Sequence, residues 1–171
     1  LRHYLDFTGC GNTVNCNHPL VTAFILHCLE YWVEMLGVDG FRFDLASVFV
    51  RGDNGIPLAN PPLPWAIEFS RTLSHVPVIA EAWDAAGLYH VGAFPGMAWS
   101  EWNGRYRDVM RRFVRGDPGL INEVATRIAG SADLYIDDER KPANSINFIA
   151  CHDGFTLYDL VSYNTKHNEA N

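Results

Sequence analysis

Three carboxylates carry the clearest chemical signal in this sequence. Each closes a short, largely apolar run: Phe43-Asp44, Ala80-Glu81 and His152-Asp153. Glu81 follows Asp44 by 37 residues, and Asp153 follows Glu81 by 72. Arg42 stands two positions before Asp44. Side chains alternate along a strand, so Arg42 and Asp44 share one face while Phe41 and Phe43 share the other. A guanidinium beside Asp44 keeps that carboxylate ionised, the state a nucleophile needs. Glu81 lies between Val78-Ile79-Ala80 and Trp83. Apolar surroundings raise a carboxyl pKa, which suits a general acid at neutral pH. One nucleophilic carboxylate and one protonated carboxylic acid are the equipment of a retaining glycosidase. Asp153, preceded by His152, offers a third polar centre able to hold sugar hydroxyls. Two blander readings use the same residues: a structural Arg42–Asp44 pair, or hard oxygen ligands for a divalent metal. Arg42 argues against the metal because it already neutralises one ligand, so neither metal nor other cofactor is expected.

The elements that must position these groups follow from periodicity and turn residues. Pro19 opens a helix, with Asn17 or His18 as cap and Gly37 as its stop. Leu20, Phe24, Cys28, Tyr31, Trp32, Met35 and Leu36 recur along it at helical spacing and form its expected apolar face. Strands are expected at residues 38–45, 77–81, 99–102 and 146–151. Helices are expected at residues 65–73 and 104–114, and after Asp117-Pro118 to about Ala129. Residues 1–18, 51–64 and 84–98 read as loops, rich in Gly, Pro and Asn. The Gly9-Cys10-Gly11 turn lacks a third glycine and a preceding strand, so it is no dinucleotide fingerprint.

Strand and helix alternate, the α/β pattern with a parallel sheet. A (β/α)8 TIM barrel of ~250 residues spends about 31 on each βα unit, and more with insertions. The 37-residue gap fits one unit, and the 72-residue gap fits two, with residues 99–102 supplying the strand between. All three carboxylates then crowd the C-terminal mouth of one barrel, whereas an open sheet would spread them along an edge.

Composition narrows the function classes. Apolar residues make up 48% of the 171, enough to bury a core. The balance of 13 Lys+Arg against 20 Asp+Glu, net −7, argues against nucleic acid. No run of ~18 uncharged apolar residues exists, so no membrane span is expected. Cys10, Cys16, Cys28 and Cys151 form no CxxC pair. Reduced thiols are expected, with Cys28 on a buried helix face and Cys151 in an apolar strand; a Cys10–Cys16 disulfide is the weaker reading. Trp83, Tyr89, Trp99 and Trp102 crowd a Gly-rich stretch and suit the apolar faces of sugars, unless they only close a satellite hydrophobic cluster. The basic run Arg105, Arg107, Arg111, Arg112 and Arg115 reads as a solvated helix face offset by Glu101 and Asp108. His27 and His75 read as surface or packing residues.

At Gly40-Phe41-Arg42-Phe43-Asp44, Ile79-Ala80-Glu81-Ala82-Trp83-Asp84 and Ala150-Cys151-His152-Asp153 the sequence resembles three signature strands of the α-amylase superfamily of glycoside hydrolases. Cys10-Gly11-Asn12-Thr13-Val14-Asn15 and the tract from Asp153 to Asn171 resemble isoamylase-type glycogen and starch debranching enzymes. Residues 51–63 and 130–135 look closest to plant and algal plastid isoamylases. The resemblance implies Asp44 as nucleophile, Glu81 as general acid/base and Asp153 as transition-state stabiliser. It implies Arg42, His152 and Trp83 as substrate-binding residues, and a branched α-glucan as substrate. It also implies a plastid location in a plant or alga and a cytoplasmic one otherwise, and it is compatible with homo- or hetero-oligomers.

Nothing here matches the superfamily's earlier strand motif with its sugar-contacting His. The expectation is therefore that residues 1–171 are a fragment of the catalytic barrel domain, incomplete and holding strands four to seven, without the N-terminal carbohydrate-binding and C-terminal β-domains. The start at Leu1 and the polar end at Asn171 agree with a piece of a larger protein. Half a barrel has open edges, so this piece alone is expected neither to fold stably nor to cleave glucan. An α-1,4-acting relative and a non-catalytic, glucan-binding isoamylase subunit are the competing readings. The second would be expected to have lost carboxylates that are present here.

Overall fold

The computed structural model describes residues 3–136, 139–165 and 167. Asp137, Asp138 and most of the tract from Lys166 to Asn171 lie outside them.

Four strands form one sheet in the order β1 (Phe41–Phe43), β2 (Val78–Ala80), β3 (Ser100–Trp102) and β4 (Ser145–Ile146). Every pairing is parallel, with Phe43 opposite Ala80, Ala80 opposite Glu101, and Trp102 opposite Ile146. Sequential order with parallel neighbours requires a crossover between each pair. Helices supply two of the three crossovers: α2 (Pro62–Phe69) between β1 and β2, and α3 (Gly104–Arg115), α4 (Ile121–Ile128) and α5 (Ala132–Tyr135) between β3 and β4, whereas residues 81–99 carry the chain from β2 to β3 as a loop. The expected α/β class and partial barrel therefore hold.

Helix α1 (Pro19–Leu36) begins and ends as its sequence signals. The His18 ring accepts from the Leu20 N–H, and Gly37 adopts φ 67°, so the last turn closes in the left-handed region. Its buried face differs from the expected one. Thr22, Ile25, Leu26, Leu29 and Val33 pack inward, whereas Leu20, Phe24, Tyr31, Trp32, Met35 and Leu36 are exposed. The helix is apolar almost all round, so helical spacing alone does not choose a face. Tertiary packing settles it: Leu29 joins the main core with Ile25, Leu26 and Val33 against it, and at the end of α2 Glu30 accepts from the Ser70 hydroxyl and Glu34 from that of Thr72. By length and composition α1 is also apolar enough to cross a membrane.

The core gathers under the sheet. Trp99 is fully buried against Phe94 and Phe43, with ring centroids 5.0 and 5.3 Å away. Leu63 and Ile67 of α2, Val78 and Ala80 of β2, and Tyr135 of α5 complete it. Trp99 is thus a core residue, not a sugar-facing loop aromatic. A smaller cluster of Val109, Leu120 and Val124 joins α3 to α4. Gly40 leads into β1, where a Cβ would stand 2.7 Å from the Pro77 carbonyl oxygen; the close approach of the β2 entrance requires glycine there.

The last strand is shorter than expected. β3 runs into α3 after Asn103, whose N–H takes the Ile146 carbonyl, so no partner continues the ladder. The Ile149 carbonyl instead accepts from the Arg111 guanidinium. Cys151 consequently lies outside the strand and is half-buried. Cys28 is likewise half-buried, Cys16 is buried and Cys10 exposed, all as free thiols; no Cys10–Cys16 disulfide forms. Short elements with no periodic signature escaped the sequence reading: α5, α6 (Leu157–Ser162), and 3-10 turns at Ala46–Val50, Leu73–His75 and Pro142–Asn144.

Candidate active site

Strands β1 and β2 end side by side, which brings two carboxylates together. Asp44 leaves β1 with a side chain 62% exposed, whereas the Glu81 side chain, at the end of β2, is 2% exposed. Arg42 lies between them. Its Nη1 is 2.6 Å from Asp44 Oδ1 and its Nη2 3.0 Å from Glu81 Oε1. The guanidinium rests on the Trp102 ring, 4.2 Å from the centroid. Arg42 and Asp44 thus share the face opposite Phe41 and Phe43, as strand alternation requires.

The backbone turns sharply at Leu45, which has φ 45° and ψ 44°. A bulky residue in the left-handed region stores strain of about 1–3 kcal/mol. That turn aims the Leu45 N–H at Glu81 Oε2, 2.8 Å away, and the Ala46 N–H at the Glu81 carbonyl. Burial raises the Glu81 pKa. The Leu45 N–H and the Arg42 charge oppose that rise, and the neighbouring Asp44 adds to it. The net effect holds the Glu81 pKa above the ordinary glutamate value.

His152 comes to the same place, its Nε2 3.8 Å from Asp44 Oδ1. Ligand atoms of Asp44, Glu81 and His152 all lie within 4.8 Å of one another, as do those of Cys151, His152 and Asp153. Such spacing could hold a cation, but Arg42 already places its charge on Asp44 and Glu81, so the first donor set does not suit a metal. The Cys151 thiol donates to Asp153. Burial works to raise the Asp153 pKa, but that hydrogen bond, His152 and Arg107 together hold it below the ordinary carboxylate value.

Asp153 opens onto a cleft of about 300 Å³ lined by Trp83, Asp84, Gly87, Leu88, Tyr89 and Arg107. The Trp83 and Tyr89 rings stack within it, centroids 6.0 Å apart and planes 10° from parallel. The structure thus brings Arg42, Asp44, Glu81 and His152 into one constellation and places Asp153 and Trp83 in the adjoining cleft.

Three side chains near the site contradict the sequence reading. Arg107 is not part of a solvated face: its guanidinium lies over Trp83 and Phe148, and Arg111 is bonded to the Ile149 carbonyl. Alternation of α3 between solvent and sheet could have separated these two from Arg112 and Arg115, which pair with Asp117. Glu101 does not offset that run. It is wholly buried, where Arg140 and the Gly92 N–H hold it.

Comparison with known proteins gives consistent neighbours. The chain is 59% identical over 168 residues to chloroplastic isoamylase 3 of Oryza sativa subsp. japonica, a match covering 98% of this chain and 22% of that protein. It is 50% identical over 172 residues to the glycogen operon protein GlgX homolog of Mycobacterium bovis, across 100% of this chain and 24% of the relative. Among solved structures, the pullulanase of Anoxybacillus sp. LM18-11 complexed with maltotetraose superposes with a TM-score of 0.72 at 26% identity, over 93% of this chain and 24% of that one. No protein-family model matches the chain. The chain thus spans about a quarter of the length of the curated relatives it matches.

Proposed function

We propose, from the premise that the chain belongs to the isoamylase-type debranching enzymes of the α-amylase superfamily, that it is part of the catalytic (β/α)8 barrel of a retaining glycoside hydrolase. In this reading it supplies strands four to seven of that barrel and acts on α-1,6 branch points of starch or glycogen. One observation supports the stereochemistry: oxygens of Asp44 and Glu81 lie within 4.8 Å. Retaining enzymes hold their carboxyl groups about 5–5.5 Å apart, and inverting enzymes about 6.5–9.5 Å to admit a water.

The unequal environments of the two carboxyl groups support a division of roles. Glu81, buried and inclined to protonation, gives its proton to the glycosidic oxygen. Asp44, exposed and paired with Arg42, attacks the anomeric carbon as that bond breaks. The leaving chain departs as an alcohol, and a glycosyl ester on Asp44 remains. Glu81, now a carboxylate, takes a proton from water, whose oxygen displaces Asp44 and restores the original configuration. Asp153 and His152 bind hydroxyls of the distorted ring, Asp153 most strongly in the transition state. Arg42 holds both carboxylates, and Trp83 presents a ring face to the sugar. The compartment is the plastid in a plant or alga and the cytoplasm otherwise.

The test is incubation of the complete polypeptide carrying this sequence with amylopectin and with linear amylose. Release of linear chains from amylopectin, with amylose untouched, supports debranching. Short products from amylose would instead indicate an α-1,4-acting relative, and no product from either would remove the hydrolase reading.

A further inference from the structure

The turn at residues 83–89 is built more firmly than an ordinary surface loop. Trp83 and Tyr89 face each other across an antiparallel bridge, closed by the Asp84 N–H to the Leu88 carbonyl. The buried Asp84 carboxylate organises the turn from inside. Its Oδ1 accepts from the Ala86 and Leu88 N–H groups at 3.0 and 3.1 Å. Its Oδ2 accepts from Arg51 Nε and Nη2 at 2.8 and 2.7 Å. The two rings are therefore stacked before anything binds.

Their seat also depends on Gly104. A Cβ there would stand 2.8 Å from Tyr89 Oη and 3.5 Å from Trp83 Cζ3. Tyr89 remains 44% exposed and belongs to neither hydrophobic core. The Arg107 guanidinium lies 6.0 Å from the Trp83 ring centroid, so the cleft combines two flat apolar faces with a fixed cation and the Asp153 carboxylate. That is the composition a sugar needs: ring faces for its C–H groups and charged donors and acceptors for its hydroxyls.

We propose that Tyr89, seated on Gly104 and stacked on Trp83, is a substrate-binding residue for the glucan chain that leaves. The proposal rests on the glycosidase reading above. It also rests on position, because Trp83 is two residues beyond Glu81 and the group that protonates the leaving oxygen must have the leaving chain beside it.

The test compares two substrates of the complete polypeptide: a branched glucan, which has a leaving chain, and α-maltosyl fluoride, which has none. Tyr89→Ala should lower the ratio of kcat/KM for branched glucan to that for the fluoride by about three- to tenfold, chiefly through KM. Tyr89→Phe keeps the ring and should restore the ratio. Gly104→Ala, which adds a methyl group where the Tyr89 hydroxyl sits, should move the ratio as Tyr89→Ala does. An unchanged ratio in Tyr89→Ala, or equal losses on both substrates, overturns the proposal and leaves the glycosidase reading standing. A wild-type polypeptide inactive on both substrates removes the two together.

Discussion

Arg42 Nη2 stands 3.0 Å from Glu81 Oε1, in a part of the site where the carboxyl group is almost wholly shielded from water. The two effects on Glu81 oppose each other: burial favours its neutral form, and the guanidinium favours its anion. Burial prevails, so Glu81 holds its proton to higher pH than a free glutamic acid. The sign for stability follows. A carboxyl whose folded pKa is raised contributes stability below its unfolded pKa and loses it as pH rises through the folded one.

Replacing Arg42 with Gln should therefore raise the Glu81 pKa further. A general acid acts while protonated, so the alkaline limb of the kcat/KM profile should move to higher pH. The maximal rate should fall by about 10²-fold or more, because Asp44 loses its partner. The pH–rate profile of the variant in the complete polypeptide checks this. A limb that stays in place would mean that Arg42 does not act on the titrating acid.

Leu45 gives a second prediction. Its left-handed backbone aims an N–H at Glu81, and β-branched residues tolerate that conformation least. Leu45→Val should cost about 1–3 kcal/mol of stability and lower kcat more than KM. Leu45→Asn, which accepts the conformation readily, should be less disruptive. Urea denaturation and steady-state kinetics separate the two effects. Equal losses in both variants would point to the lost Leu side chain rather than to the backbone.

Much of this site can be read from the sequence because strand alternation is strict. Once Phe41-Arg42-Phe43-Asp44 is a strand, Arg42 and Asp44 must share a face, and the structure has them 2.6 Å apart. The raised Glu81 pKa comes from burial, the effect expected of a carboxyl that closes an apolar run. Other features depend on contacts that no local pattern encodes. α1 is apolar on nearly every side, and the face it buries is the one that meets the distant core and whose Glu30 and Glu34 reach Ser70 and Thr72, 40 and 38 residues further on. Trp99 looks like Trp83 in a Gly-rich stretch, but Phe43 and Phe94 close over it. The end of the expected last strand is lost because its carbonyl at Ile149 meets Arg111 instead of another strand.

The pairing of Glu101 with Arg140 predicts a large effect on stability far from the chemistry. Both side chains are fully buried, and Arg140 also donates to the Gly92 carbonyl at 2.6 Å. Removing one partner leaves an uncompensated buried charge, so Arg140→Ala should cost about 3–5 kcal/mol. Burial already raises the Glu101 pKa against the pull of Arg140. Without Arg140 it rises further, so the variant should lose additional stability as pH increases above the unfolded value. Denaturant titrations at pH 5 and pH 8 measure both effects. A variant equally stable at the two pH values would show that Glu101 does not carry the charge.

The most direct measurement is mass spectrometry of the complete polypeptide carrying Glu81→Gln after exposure to α-maltosyl fluoride. Fluoride leaves without a general acid, so the first displacement proceeds. Water lacks its general base, so the second step stalls. The expected result is a peptide containing Asp44 heavier by one maltosyl unit, with the sugar joined as an ester to Asp44. An adduct on another residue, or turnover of the fluoride with no adduct at all, would contradict Asp44 as the nucleophile of a retaining hydrolase.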